Sequence, residues 1–125
     1  MKKFIKILTA CVLCIATLLC ITACAPANAD KAKAKMEDLG YSVSKQFLND
    51  VEVEHWYNVE IDGDTYKITA LKGLNSITVF YFDKAKDAKT FYEEYAVQQV
   101  ALFDKVELKG KLVIYGSIEA YEDFM

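Results

Sequence analysis

The residue pattern of this 125-residue chain predicts an α+β fold: a two-layer sandwich, with a mainly antiparallel sheet of four to six strands and helices packed on one face. Three observations lead there. Segments with helical spacing of apolar residues stand near the start, in the middle and at the end of the region after residue 24, with alternating segments between them. The alternating segments are joined by short turns, at Gly73 to Asn75 and around Gly110, and strands joined so closely pair antiparallel. The region from residue 24 onward has 102 residues, room for one domain and not for two. The expected division is 1–23 as a removable leader, 24–30 as a modified N-terminus and linker, and 31–125 as the domain.

Met1 to Lys6 is a short basic segment, and Ile7 to Ile21 is an apolar run of the length of an export signal. From Phe4 to Ala23 the run comes close to the roughly 18–20 apolar residues of a membrane-spanning helix, so length does not separate signal from anchor. The residues before the fourth cysteine do. Ile21-Thr22-Ala23-Cys24 resembles the lipobox of bacterial lipoproteins, with an aliphatic residue at −3, small residues at −2 and −1, and then cysteine. The resemblance implies a signal peptide removed before Cys24 and a diacylglyceryl group, with fatty acyl chains such as palmitate, on the nucleophilic sulfur of Cys24. It further implies a lipid anchor on the extracytoplasmic face of the cell membrane.

Cys14 and Cys20 follow leucines where a small residue is needed, and Cys11 lies too early to leave a full apolar run. A rival is the small-x-small site Ala27-Asn28-Ala29, where ordinary cleavage before Asp30 releases a secreted, soluble protein. Either cut removes Cys11, Cys14 and Cys20, so the C-x-x-C spacing of Cys11 and Cys14 carries no redox or zinc chemistry and the domain has no disulfide framework.

Ala25 to Asp30, with the only proline, Pro26, reads as a small-residue linker. At about 3.3 Å per extended residue it holds the domain some ~20 Å from the lipid headgroups. A first helix is expected from Asp30 to Leu39, with Ala32, Met36 and Leu39 at helical spacing and Gly40 as its stop. Tyr41 to about Leu48 is a strand with Tyr41 and Val43 on one face, and Asn49-Asp50 is a turn. In residues 51–65, Val51, Val53, Val59 and Ile61 alternate with Glu52, Glu54, Glu60 and Asp62, which predicts a half-buried strand or hairpin. Asp62-Gly63-Asp64 has turn chemistry.

Tyr66, Ile68 and Ala70 alternate with Lys67 and Thr69 as a further strand, and Ile77 to Phe82 is the strongest strand in the chain. Asp83 is placed to cap a long helix from Lys84 to about Phe103, with Ala85, Ala88, Phe91, Tyr92, Tyr95 and Leu102 on one face. Val106 to Lys109 and Lys111 to Tyr115 form a hairpin, and Ser117 caps a short helix from Ile118 to Phe124. The stretches Ile68-Thr69-Ala70, Ile77 to Phe82, Ala88 to Glu93 and Tyr115-Gly116 look like those of small lipoproteins of low-GC Gram-positive bacteria. That resemblance implies no activity.

The whole chain has a net charge of −3, but residues 24–125 hold 12 lysines and 18 acids, a net of −6. All basic residues are lysine, so bidentate guanidinium recognition is excluded and a nucleic-acid partner is disfavoured. His55 is the only histidine and has no cysteine partner, so it makes no zinc site. The acidic segment 52–64 fails the EF-hand pattern: counted from Asp62, position six is Lys67 and position twelve is Gly73. Phosphate-binding glycine loops and G-x-S-x-G nucleophile contexts are missing.

Aromatic residues are the remaining signal. Phe80 and Phe82 point opposite to Ile77, Val79 and Tyr81, and Leu112 to Tyr115 is apolar on both faces. The second sheet face is therefore either covered by the first or last helix or open as an aromatic platform, and a small domain without disulfides favours coverage. The expectation is a binding or interaction module without catalysis, cofactor or metal. Its partner would be a protein, peptide or small apolar molecule, met at His55, Trp56 and Tyr57 or at Phe80, Phe82 and Tyr115. The alternative is an enzyme accessory, or a weak divalent-metal binder, using segment 52–64.

Overall fold

The computed structural model describes residues 25–125. The N-terminal readings, including the signal peptide, Ile21, Thr22, Ala23 and the lipidation site Cys24, lie outside the described residues. The described elements are α1 (Ala29–Asp38), β1 (Ser42–Leu48), α2 (Asp50–Tyr57), β2 (Thr65–Lys72), β3 (Asn75–Phe82), α3 (Ala85–Glu94), a 3-10 helix (Ala96–Ala101), β4 (Lys105–Lys109), β5 (Leu112–Gly116) and α4 (Ile118–Phe124). The five strands form one antiparallel sheet in the order β1-β2-β3-β5-β4, so β3 is central and β1 and β4 are edges. This is the α+β architecture expected, with helices on both faces of the sheet rather than one.

Register explains the two-sided burial. Lys45, Phe47, Tyr66, Ile68, Val79, Tyr81, Leu112 and Ile114 share one face through the pairs Phe47↔Tyr66, Tyr66↔Tyr81 and Tyr81↔Leu112. On that face α1 and α4 cover Ile68, Ala70, Ile77, Val79 and Ile114 with Ala32, Met36, Ala120 and Phe124. On the other face Leu48, Phe80, Phe82, Val113 and Tyr115 are covered by Val53, Ala88, Phe91 and Ala96 from α2, α3 and the 3-10 helix. A central strand apolar on both sides, such as Val79-Phe80-Tyr81-Phe82, is the pattern of a sheet sandwiched between helices.

Two elements differ from the sequence reading. Residues 50–57 are a helix, not a strand, and Asn49 is its N-cap rather than part of a turn. The Asn49 side chain accepts from the Glu52 backbone N–H at 2.8 Å, and Glu52 returns the bond to the Asn49 N–H at 3.3 Å, closing a capping box. Asn58 ends the helix at a left-handed φ of 58°. Only Val53 of this helix is fully buried; Val51 is 68% exposed, so the apparent alternation was not a sheet pattern. Val59 and Ile61 are buried from the loop that follows.

The long helix expected to Phe103 ends at Glu94 and continues as a 3-10 helix. Its apolar face is exhausted at Phe91, Tyr95 and Ala96, and Val97, Val100 and Leu102 are exposed. Asp83 does not cap it; the Asp83 carboxylate accepts instead from the Asp64 N–H at 3.1 Å. The first helix begins at Ala29, and the stop at Gly40 is as expected, with φ 91°. The last helix is capped by Ser117 as expected.

Candidate functional site

The segment read as a linker belongs to the fold. Ala25 packs against the core beneath α1, and the Pro26 carbonyl accepts a hydrogen bond from the Tyr81 hydroxyl at 2.8 Å. The Asn28 side chain caps α1 through the Lys31 N–H at 2.9 Å, and Ala29 is buried. The spacer of some ~20 Å is therefore corrected: from Ala25 onward the chain is docked.

Trp56 and Tyr57 sit in the last turn of α2, which the capping box and the Val53 anchor hold against β1 and β2. Together with Gln46, Leu48 and Lys67 they line an open groove of about 290 Å³. Trp56 is 67% exposed. Tyr57 is half-buried and fixed edge-on against Phe80, Phe91 and Tyr95, at centroid distances of 5.4, 5.3 and 4.9 Å. The Lys67 ammonium lies 5.7 Å from the Tyr57 ring centroid, with no ion pair to a carboxylate among the described residues. The groove thus combines an exposed indole, a rigid phenol, an amide and an available cation. It suits a ligand with an apolar body and an acceptor or anionic group.

His55 is exposed on the same helix, edge-on to Trp56 at 5.0 Å, and does not line the groove. Phe80, Phe82 and Tyr115 are core residues under α3, with Phe80 against Phe91 at 4.6 Å. The open aromatic platform is thereby corrected, because those three rings carry the packing of α3. Burial, with Tyr95 and Tyr57 beside it, pushes the Tyr115 hydroxyl well above the ordinary phenol range. Gln46, Leu48 and Lys67 were not singled out from the sequence. No local pattern marks them, since strand pairing alone brings them to Trp56.

The acidic segment does not converge. Glu52 is used in the capping box, and Asp62 pairs with Lys86 at 2.6 Å, which holds its carboxyl below the usual range. Among the described residues no group of three or more His, Cys, Asp or Glu side chains is arranged to hold a metal.

The carboxylate that matters there is Asp87, in the first turn of α3. It is 1% exposed and accepts from the Asp62 N–H at 3.1 Å and the Gly63 N–H at 2.9 Å, fastening the loop onto α3. A Cβ on Gly63 would stand 3.0 Å from the Asp83 Cβ and crowd the carboxylates of Asp83 and Asp87.

No helix among the described residues is long and apolar enough to cross a membrane. Neither protein-family models, nor curated proteins, nor solved structures give a match to this chain.

Proposed function

We propose that the protein is a lipid-anchored, extracytoplasmic binding module without catalysis, tethered through Cys24 and binding at the Trp56–Lys67 groove. The observation that carries the anchored reading is the use of residues 25–29 in the fold. Cleavage after Ala29 would discard Ala25, leave the Tyr81 hydroxyl without the Pro26 carbonyl, and remove the Asn28 cap, itself worth about 1 kcal/mol. A mature chain that begins at Cys24 keeps all three. Incorporation of radiolabelled fatty acid by the wild type and its loss in Cys24→Ala test the anchor; labelling that survives the substitution contradicts it.

The binding reading is supported by an exposed indole set beside an available lysine, while in segment 52–64 Glu52 closes the capping box and Asp62 pairs with Lys86. The ligand class it favours is a peptide or small apolar molecule bearing a carboxylate or similar acceptor. Benzoate and short apolar peptides with free carboxyl termini should change Trp56 emission saturably, and Lys67→Gln should weaken the effect. Emission unchanged across such a panel contradicts this ligand class.

A further inference from the structure

We propose that the sheet corner carrying Phe47 and Tyr66 is a membrane-contacting surface, resting on the phospholipid bilayer to which Cys24 is fixed; this rests on the anchored reading above. The first described residue, Ala25, is packed against the core, and the next, Pro26, is held by Tyr81. Tyr81 is the register partner of Tyr66, and Tyr66 is the register partner of Phe47, so all three lie side by side on one face. Pro26 is thus held at Tyr81, the strand neighbour of Tyr66. Cys24 is bonded directly to Ala25, so on the anchored reading the acyl group is attached next to the first packed residue of the fold. A lipid there brings the corner to the headgroup layer.

The corner has the chemistry of that layer. Phe47, on the edge strand β1, is 47% exposed and Tyr66, beside it on β2, is 38% exposed, with ring centroids 5.3 Å apart. Aromatic rings, tyrosine with its hydroxyl in particular, partition to the membrane–water interface. The neighbouring Lys45 is bonded to Asp30 and lies 4.8 Å over the Tyr66 ring, so the local charge cancels. The patch is thus fitted to a zwitterionic surface and needs no anionic lipid, which the net −6 of residues 24–125 would oppose. Gln46 and Leu48 alternate with Lys45 and Phe47 along β1, so the Trp56 groove opens on the opposite sheet face and stays free.

The test uses the acylated full-length mature protein in phosphatidylcholine vesicles with brominated acyl chains. Trp56, the only native tryptophan, reports the groove side, and Phe47→Trp combined with Trp56→Phe reports the corner. Bromolipid should quench the indole at position 47 about threefold or more above Trp56, and a spacer of about ten Gly/Ser residues between Cys24 and Ala25 should abolish the difference. Tyr66→Trp in the same background gives a second reporter should the first variant fold poorly. Vesicle flotation, read separately, reports the anchor: protein that does not float overturns the anchor and this proposal with it. Protein that floats while its corner indole is quenched no more than Trp56 overturns the docking alone. An indole shielded from both bromolipid and aqueous acrylamide places a second protein copy on the patch and also overturns it.

Discussion

The Tyr81 hydroxyl donates to the Pro26 carbonyl at 2.8 Å, joining the central strand to a segment 55 positions earlier in the chain. The bond fixes where the N-terminal segment crosses the sheet. Burial holds the Tyr81 hydroxyl in its neutral, donating form well above the ordinary phenol range. Tyr81→Phe should cost about 1 kcal/mol in urea unfolding, as expected for one hydrogen bond. It should also speed hydrogen exchange at the Lys31 and Ala32 amides, which the N-terminal end of α1 holds. Unchanged exchange there would mean that the bond does not secure the segment.

Alkaline unfolding follows from four buried or bonded tyrosines. Burial first, and then the bond to Asp123 at 2.6 Å, pushes Tyr41 up to about 12; burial and the bond to Glu107 push Tyr121 up to about 12. Tyr81 and Tyr115 are raised as well. The native state keeps these protons where the unfolded chain releases them, so their stabilisation is complete below about pH 10 and is lost as pH rises toward about 12. The urea midpoint should fall across that window, and more gently in Tyr41→Phe. A flat profile would contradict the bonding described for these hydroxyls.

Asp87 should be the most sensitive carboxylate of the domain. Asp87→Ala leaves the Asp62 and Gly63 N–H groups without their acceptor and should cost roughly 2–3 kcal/mol. Asp62→Ala removes only an exposed partner of Lys86 and should leave the urea midpoint close to that of the wild type. Parallel urea titrations of the two variants check the contrast.

What could be read from the sequence follows from how local each determinant is. The strand at 77–82, the Ser117 cap and the Gly40 stop rest on neighbouring residues and stand as expected. The helix at 50–57 was masked by valines spaced two apart, although Asn49 and Glu52 carried a capping box that outweighs so short an alternation. Burial of Phe80 and Phe82 was half legible, because a strand apolar on both sides demands two cover layers without naming them. The groove was legible only at Trp56 and Tyr57. Gln46 and Lys67 join them through the register Gln46↔Lys67, and no spacing in the chain encodes that pairing. Asp87 resembles any helical acid until the Gly63 loop folds over it.

Thr65 presents the reverse case to Asp87. Its side chain is fully buried, and its hydroxyl has no hydrogen-bond partner among the described residues. Thr65→Val exchanges the hydroxyl for a methyl group of similar shape and should raise stability by about 1 kcal/mol. A loss of stability would reveal a partner for the hydroxyl.

The groove makes a separable prediction. Trp56→Ala removes an exposed ring and should leave unfolding within about 0.5 kcal/mol of wild type while abolishing ligand-dependent changes at the groove, followed through Tyr57 ring resonances. Retention of those changes would move the binding site elsewhere.

The central claim is that the mature protein begins at Cys24 and carries its lipid directly against the fold. Intact-mass measurement of the protein extracted from membranes tests this most directly. The account predicts a chain from Cys24 to Met125 with the added mass of a diacylglyceryl group. An unmodified chain beginning at Asp30, or one retaining residues 1–23, would contradict it.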